Sequence, residues 1–421
     1  MMKIMAKEKY LLFFFLAICL LELTFIVTVS DLQVWLGNWE DKSRAILGFN
    51  IPTSNFYGPG SALLLIPFLW DSPSFLVPVY FYFILGCVGY FFLTRVIDQF
   101  RFRVAALLVI PANPYLIWLC HSSQDTVFEF ALLTWSIYFL SKRQWITYSA
   151  TTFLLAETRA GYWTLFLGLG VLLFVKDLYQ RRKLDFKKYL AVPLFLFTAL
   201  FNLNFYGSAS PALEGGITAY FSHSKYLHLS LPKMDMDVFL SGENGIFSVA
   251  NGPEIPSGAS EAETNSIYQK AALESIVNNP KEFVLNTMQK FESYIFGVQK
   301  VPNLPGEYLL DIQNNRIDIG DERLAWNLVA GNFVYEIYRS VLVVLGLTGL
   351  GAIFALRRFR RDLYLRIKFP IEYLLPWVFG LIPALLLYTE TRFKVVSESL
   401  LFLFAIWVWS KLSALKSEIK R

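Results

Sequence analysis

The sequence is poor in the residues that soluble enzymes use for chemistry. It has three cysteines and three histidines in 421 residues, and no C-x-x-C, H-E-x-x-H, G-x-S-x-G or Walker loop. Those absences remove motif-based readings as a zinc hydrolase, a thiol redox protein, a nucleophile-elbow hydrolase or a P-loop nucleotidase. Cys19, Cys87 and Cys120 stand far apart without ligand spacing and read as packing residues. His223 and His228 are five apart with no carboxylate partner, which reads as a surface role rather than a metal pair. Charge is scarce as well: 17% of residues are charged, against 55% hydrophobic. Such a chain cannot hide its apolar surface in a soluble core, so its natural solvent is a bilayer.

What is present in abundance is apolar sequence of spanning length. A hydrocarbon core of about 30 Å needs roughly 20 apolar residues per crossing. The stretches 10–29, 75–94, 104–120, 125–140, 146–159, 161–175, 190–206, 335–356, 370–388 and 395–410 meet or approach that length. The expected fold is therefore an all-α polytopic membrane protein of about ten transmembrane helices, with a smaller mixed extracytoplasmic region. Three parts follow: an N-terminal transmembrane module, 1–205, with a first outer loop at 30–60; an outer region, 206–333; and a C-terminal transmembrane module, 334–421. The first apolar run is too long for a signal-peptide core and lacks an A-x-A site, so it reads as an uncleaved span.

If the spans alternate, 1–10, 95–103, 141–145, 176–189, 357–369 and 411–421 share one side and hold 24 of the 38 Lys and Arg residues. That side is cytoplasmic by the positive-inside rule, with both termini on it. The basic runs Arg181–Lys188 and Arg357–Lys368 read as juxtamembrane anchors on anionic lipid, not nucleic-acid patches.

The outer loop opens with Asp31, just past the apolar run Leu11–Val29, and closes with Tyr57-Gly58-Pro59-Gly60, where an apolar helix restarts. Between them, tryptophans and aliphatics interleave with Glu40, Asp41, Lys42 and Arg44, the pattern of a helix lying in the interface. Three outer turns are short and polar: Cys120–Asp125, Glu157–Tyr162 and Tyr388–Lys394, the last with Glu390, Arg392 and Lys394. Ionisable groups at span ends often only snorkel to water, but several such turns on one face point to a site. In the outer region, Asn278-Asn279-Pro280-Lys281 opens an amphipathic helix, Glu282–Phe296, that rests on the membrane or caps a cavity. The acidic stretch Ser241–Glu263 reads as loop or a small lid.

In order along the chain, Asp31-x-x-x-Trp35 and Phe56-Tyr57-Gly58-Pro59-Gly60 before Leu63-Leu64-Leu65 resemble the D-x-x-x-Y and Y-P-P-G-x-x-L-L-L start of the glycosyltransferase C superfamily. The likeness is to its bacterial polyprenyl-phosphate-dependent transferases, relatives of the protein O-mannosyltransferases and the lipid A aminoarabinose transferase. Ser123-Gln124-Asp125-Thr126-Val127-Phe128 is similar to their S-E-T-L-F segment, with Asp125 in place of Glu, and Arg159 matches a span-end Arg. Asn279-Pro280 with Phe283 resembles their N-P-x-x-F helix, Gly215-Gly216 a Gly pair after the seventh span, and Glu390-x-Arg392-x-Lys394 their E-x-R-Y-R run. Departures are Gly58 for the first Pro, Val396 for a usual Pro, and Leu32 where the protein mannosyltransferases carry a second acid.

The resemblance implies a donor made of polyprenyl phosphate and one sugar, used on the extracytoplasmic face of a bacterial plasma membrane. It also implies an acceptor hydroxyl on a lipid, a polysaccharide or a protein. Inverting transfer needs one base, assigned to Asp31, and cations facing the leaving phosphate, assigned to Arg159, Arg392 and Lys394. Glu40, Asp41, Tyr57, Asp125 and Glu390 are further substrate-binding candidates. No metal ligand set is assigned, and the reading leaves room for a divalent cation. The rivals are a transporter or flippase for a lipid-linked saccharide, for which Glu22 inside the first span speaks, and a polysaccharide polymerase.

Overall fold

The computed structural model describes residues 2–29, 39–52, 58–72, 74–122, 125–180, 184–213, 215–223, 253–295, 308–311, 316–319, 339–355, 358, 370–386 and 394–419. Within them the chain is overwhelmingly helical. One antiparallel hairpin, β1 Tyr308–Asp311 with β2 Arg316–Ile319, falls in the region expected to be mixed.

Among the described residues four helices are long and apolar enough to cross a bilayer: α1, Met2–Val29; α4, Leu76–Thr94; α9, Tyr162–Tyr179; and α16, Val395–Ile419. Shorter apolar helices stand among them: α7, Thr126–Ser141; α10, Ala191–Tyr206; α14, Arg339–Ala355; and α15, Leu375–Leu386. α8, Trp145–Thr158, completes the bundle around the site. Helices are the natural answer here because hydrocarbon offers no partner for an open backbone N–H or C=O.

The centre of the bundle is α16, whose apolar window is 78% buried, whereas that of α1 is only 17% buried and lies at the rim. Tyr90 on α4 donates to the Ser399 carbonyl of α16 at 3.4 Å, and Gln99 to that of Ser410 at 2.8 Å. At the basic end, Lys411 pairs with Asp98 at 2.5 Å and Glu8 accepts from Arg103, which staples both termini of the chain to the 95–103 turn. α4 and α7 approach closely at Gly86 and Gly89. A Cβ on Gly86 would meet the Phe130 ring at 2.4 Å, and one on Gly89 the Thr134 hydroxyl at 2.7 Å. Small residues at a crossing let two helices exchange dispersion contacts that Leu-sized side chains would prevent.

One expectation is corrected: the stretch 104–120 is not one helix but two short ones, α5 Phe100–Leu108 and α6 Pro114–Ser122, because Pro111 and Pro114 interrupt the hydrogen-bond ladder. Of the stretch Ser241–Glu263, read as loop or lid, 241–252 lie outside the described residues and 253–260 are non-helical, while 261–263 open an 18-residue helix, α12 Glu261–Asn278. Ser260 and Glu263 form a reciprocal capping box at its start, the S-x-x-E signal that marks a helix N-terminus. The helix expected at Glu282–Phe296 is present as α13, Pro280–Ile295, with Pro at the position a first turn tolerates.

Replacing Gly86 by Val should lower the thermal midpoint of the detergent-solubilised protein, with an overpacking cost of about 1–3 kcal/mol. An unchanged midpoint would mean that α4 and α7 are not held at this separation.

Candidate functional site

Arg159 ends α8 in extended backbone, so its side chain turns back across the ends of α7 and α9. Its Nη2 donates to Asp125 Oδ1 at 2.5 Å and to Thr126 Oγ1 at 3.0 Å, and its Nη1 pairs with Glu129 Oε2 at 2.5 Å. Tyr162, in the first turn of α9, donates to the other Glu129 oxygen at 2.5 Å. Asp125 and Glu129, one helical turn apart, thus grip one guanidinium from the same side, as their i, i+4 spacing allows. Arg159 and Glu129 are 7% and 0% exposed at the side chain, so each needs the other: a buried charge without its partner costs several kcal/mol.

The chain that leads into the next helix is pressed against the last turn of α8, at the two residues before Arg159. A Cβ on Gly58 would stand 2.2 Å from the Glu157 carbonyl oxygen, and one on Gly60 2.5 Å from the Thr158 nitrogen. Backbone on backbone leaves no room for a side chain. α3, Gly60–Leu65, starts from this seat, as the Tyr57–Gly60 restart implied. Glu157 itself turns away and accepts from Thr198 of α10 at 2.8 Å.

Glu40 and Asp41 lie in the first turn of α2, Glu40–Leu47. Glu40 accepts from Arg44 of the same helix and from Ser72 at 2.8 Å, bonds that hold its carboxyl below the usual range and tie α2 to the turn before α4. Asp41 is exposed. The helix is seated by Ser43, which donates to the Ala62 carbonyl of α3 at 2.9 Å.

Lys394 is buried directly before α16, and its Nζ donates to the Tyr294 carbonyl in the last turn of α13 at 3.3 Å. Arg339, the first described residue of α14, donates to the same carbonyl at 2.5 Å and to Glu398 Oε1 at 2.6 Å. Last-turn carbonyls lack helical partners and carry the negative end of the helix dipole, which is why two cations collect there. Burial, and then the Arg339 charge, push the Lys394 amine well below its usual range, against the pull of Glu398. Burial pushes the Tyr294 phenol up, and the negative charges of Glu398 and Glu129 add to the effect.

A third group closes the end of α15. Lys290 of α13 donates to the Leu385 carbonyl at 3.2 Å and to Ser222 Oγ at 3.3 Å, and His223 Nε2 donates to the Leu386 carbonyl at 2.8 Å. Ser222 ends α11, Gly215–Ser222. His223 is therefore a buried cap and not the surface residue expected from its spacing. Burial brings Lys290 down to about 7 and, with the Lys290 charge, His223 to about 4.

Of the candidates, the structure brings Asp125 and Arg159 into contact and sets Lys394 in a cluster with Arg339, Glu398 and the Tyr294 carbonyl, while Glu40 and Asp41 sit on α2. Asp31, Tyr57, Glu390 and Arg392 lie outside the described residues, as does His228. Sequence reasoning passed over Lys290, Tyr294, Arg339 and Glu398. Arg339 and Glu398 each stand at the start of an apolar run, and that position was their signal. Among the described residues no group of three His, Cys, Asp or Glu side chains could hold a metal ion. Comparison with protein families, curated proteins and solved structures finds no match.

Glu398→Ala would remove the buried carboxylate that Arg339 bonds and should cost about 3–5 kcal/mol, seen as a lower thermal midpoint or loss of folded protein. Glu398→Gln, which keeps the hydrogen bonds, should cost less.

The two capping bases also set a pH dependence. His223 has a folded value near 4 against 6.5 unfolded, so the unfolded chain binds the proton first, and stability is lost as pH falls from about 6.5 to 4. Lys290, near 7 against 10.5, acts in another window, where stability rises as pH rises from about 7 to 10.5. Thermal midpoints across pH 4–10 should show both slopes. His223→Gln should flatten the acid one, and Lys290→Met the alkaline one.

Proposed function

We propose that this chain is a membrane glycosyltransferase that moves a sugar from a polyprenyl-phosphate carrier to an acceptor hydroxyl, with inversion, on the extracytoplasmic face of a bacterial plasma membrane. The observation that carries the reading is the seat of the loop return: Gly58-Pro59-Gly60 is packed on the backbone of Glu157 and Thr158, next in sequence to Arg159. The segment that begins in sequence with Asp31 thus returns to the end of α8 beside Arg159, which supports a site drawn from the first loop and later turns. The ordered motifs, from Asp31 through Asn279-Pro280 to Lys394, support the same reading.

In this reaction the Asp31 carboxylate takes the proton of the acceptor hydroxyl as its oxygen attacks the anomeric carbon. The bond from that carbon to the phosphate oxygen breaks, and polyprenyl phosphate leaves with the electron pair. Negative charge grows on the phosphate, and Arg392, Lys394 and Arg159 are the cations offered to it. Lys394 suits the role because burial and the Arg339 charge disfavour its ammonium form, and an arriving anion would favour it. Arg159 already serves Asp125 and Glu129, so its share is to fix the floor of the site and to exchange one carboxylate for phosphate as the donor docks. Tyr57, Glu390, Glu40 and Asp41 are assigned to sugar and acceptor contacts.

Asp31→Asn should abolish sugar transfer from a polyprenyl-phosphate donor in membranes while leaving expression and donor binding intact. Transfer at the unsubstituted rate would remove Asp31 from the mechanism.

A further inference from the structure

Helix α13 has its polarity reversed. Asn286, Lys290 and Tyr294, each one turn from the next, face the protein and are 0–2% exposed. Val284, Leu285, Met288 and Phe291 occupy the outward edge and are 46–64% exposed. A helix washed by water on its outer side would show the opposite arrangement, apolar residues inward and polar outward. Apolar out and polar in is what a helix shows when the medium outside is less polar than its neighbours inside.

The packing of α13 says what that medium is. Lys290 and Tyr294, one turn apart, bond carbonyls eight residues apart on α15: Leu385 at 3.2 Å and Trp377 at 2.5 Å. Eight helical residues cover roughly 12 Å of axis, so α13 is engaged along the flank of α15 and not only at its tip. The Tyr294 hydroxyl reaches far enough to lie 2.7 Å from where a Cβ on Gly380 would be. α15 is an apolar helix with its own exposed stripe at Val378, Ile382 and Leu386, again one turn apart. The outward edge of α13 thus belongs to a helix packed along the flank of an apolar helix that itself exposes an aliphatic stripe. Lys281 and Glu292, both exposed, bound it at either end and are long enough to reach headgroups.

We propose that the edge formed by Val284, Leu285, Met288 and Phe291 is a membrane-docking surface occupied by acyl chains of the adjoining lipid leaflet. A helix outside the apolar spans then forms part of the lipid-facing wall, with the charged interior directly behind it.

The test uses full-length protein in phosphatidylcholine/phosphatidylglycerol vesicles, carrying a nitroxide at Met288→Cys, Val284→Cys or, as the reference, Lys281→Cys. The native thiols, Cys19, Cys87 and Cys120, are buried, so the unsubstituted chain gives the labelling background. The proposal expects oxygen to collide with the labels at 284 and 288 several-fold more often, relative to a water-soluble nickel chelate, than with the label at 281. Nickel access at 284 and 288 equal to that at 281 would put the edge in water and overturn it. Low collision with both reagents would mean that protein, such as a second copy of this chain, covers the edge, and would overturn it equally. None of these outcomes depends on the glycosyl-transfer reading.

Discussion

One guanidinium governs the polar end of this bundle. Arg159 sits where apolar helices end and is nearly out of reach of water, and Asp125 and Glu129 face it and offset the cost of burying its charge. Coulomb attraction is strong in such surroundings, and so is the penalty for losing a partner. The consequence is geometric: α7, α8 and α9 cannot slide past one another at this end without separating the charges. Tyr162 on Glu129 adds a fourth fixed point. The first outer loop then inherits its position from this rigid corner.

The same economy of charge recurs at two helix ends nearby. Lys394 and Arg339 meet the carbonyl end of α13, and Lys290 with His223 meets that of α15. Helix C-termini buried in apolar surroundings must find donors, and basic side chains supply both a hydrogen bond and a favourable interaction with the dipole. The result is an interior edge more polar than the surface around it. In the proposed reaction that edge is where a phosphate would be met, with the carrier's tail left in the hydrocarbon.

How much of this was legible in the sequence depends on the kind of signal. Apolar runs showed where helices begin, and α7, α10 and α13 fall within a few residues of their expected places. Pro111 and Pro114 mark the break in the 104–120 stretch, since each removes a donor from the ladder. α12 was missed because its composition is polar, although Ser260-x-x-Glu263 is a clear local start signal. The pairing of Asp125 and Glu129 with Arg159 was open to inference from an i, i+4 spacing and a span-end Arg. The roles of Lys290, Tyr294 and His223 were not, because each bonds a carbonyl about 80 to 160 residues away in sequence. No periodicity encodes which backbone oxygen a distant side chain will reach.

The close seat of Gly58 and Gly60 on α8 bears on motion. With backbone against backbone and no side chain to compress, that limb of the loop has no slack, so it behaves as an anchor and not as a hinge.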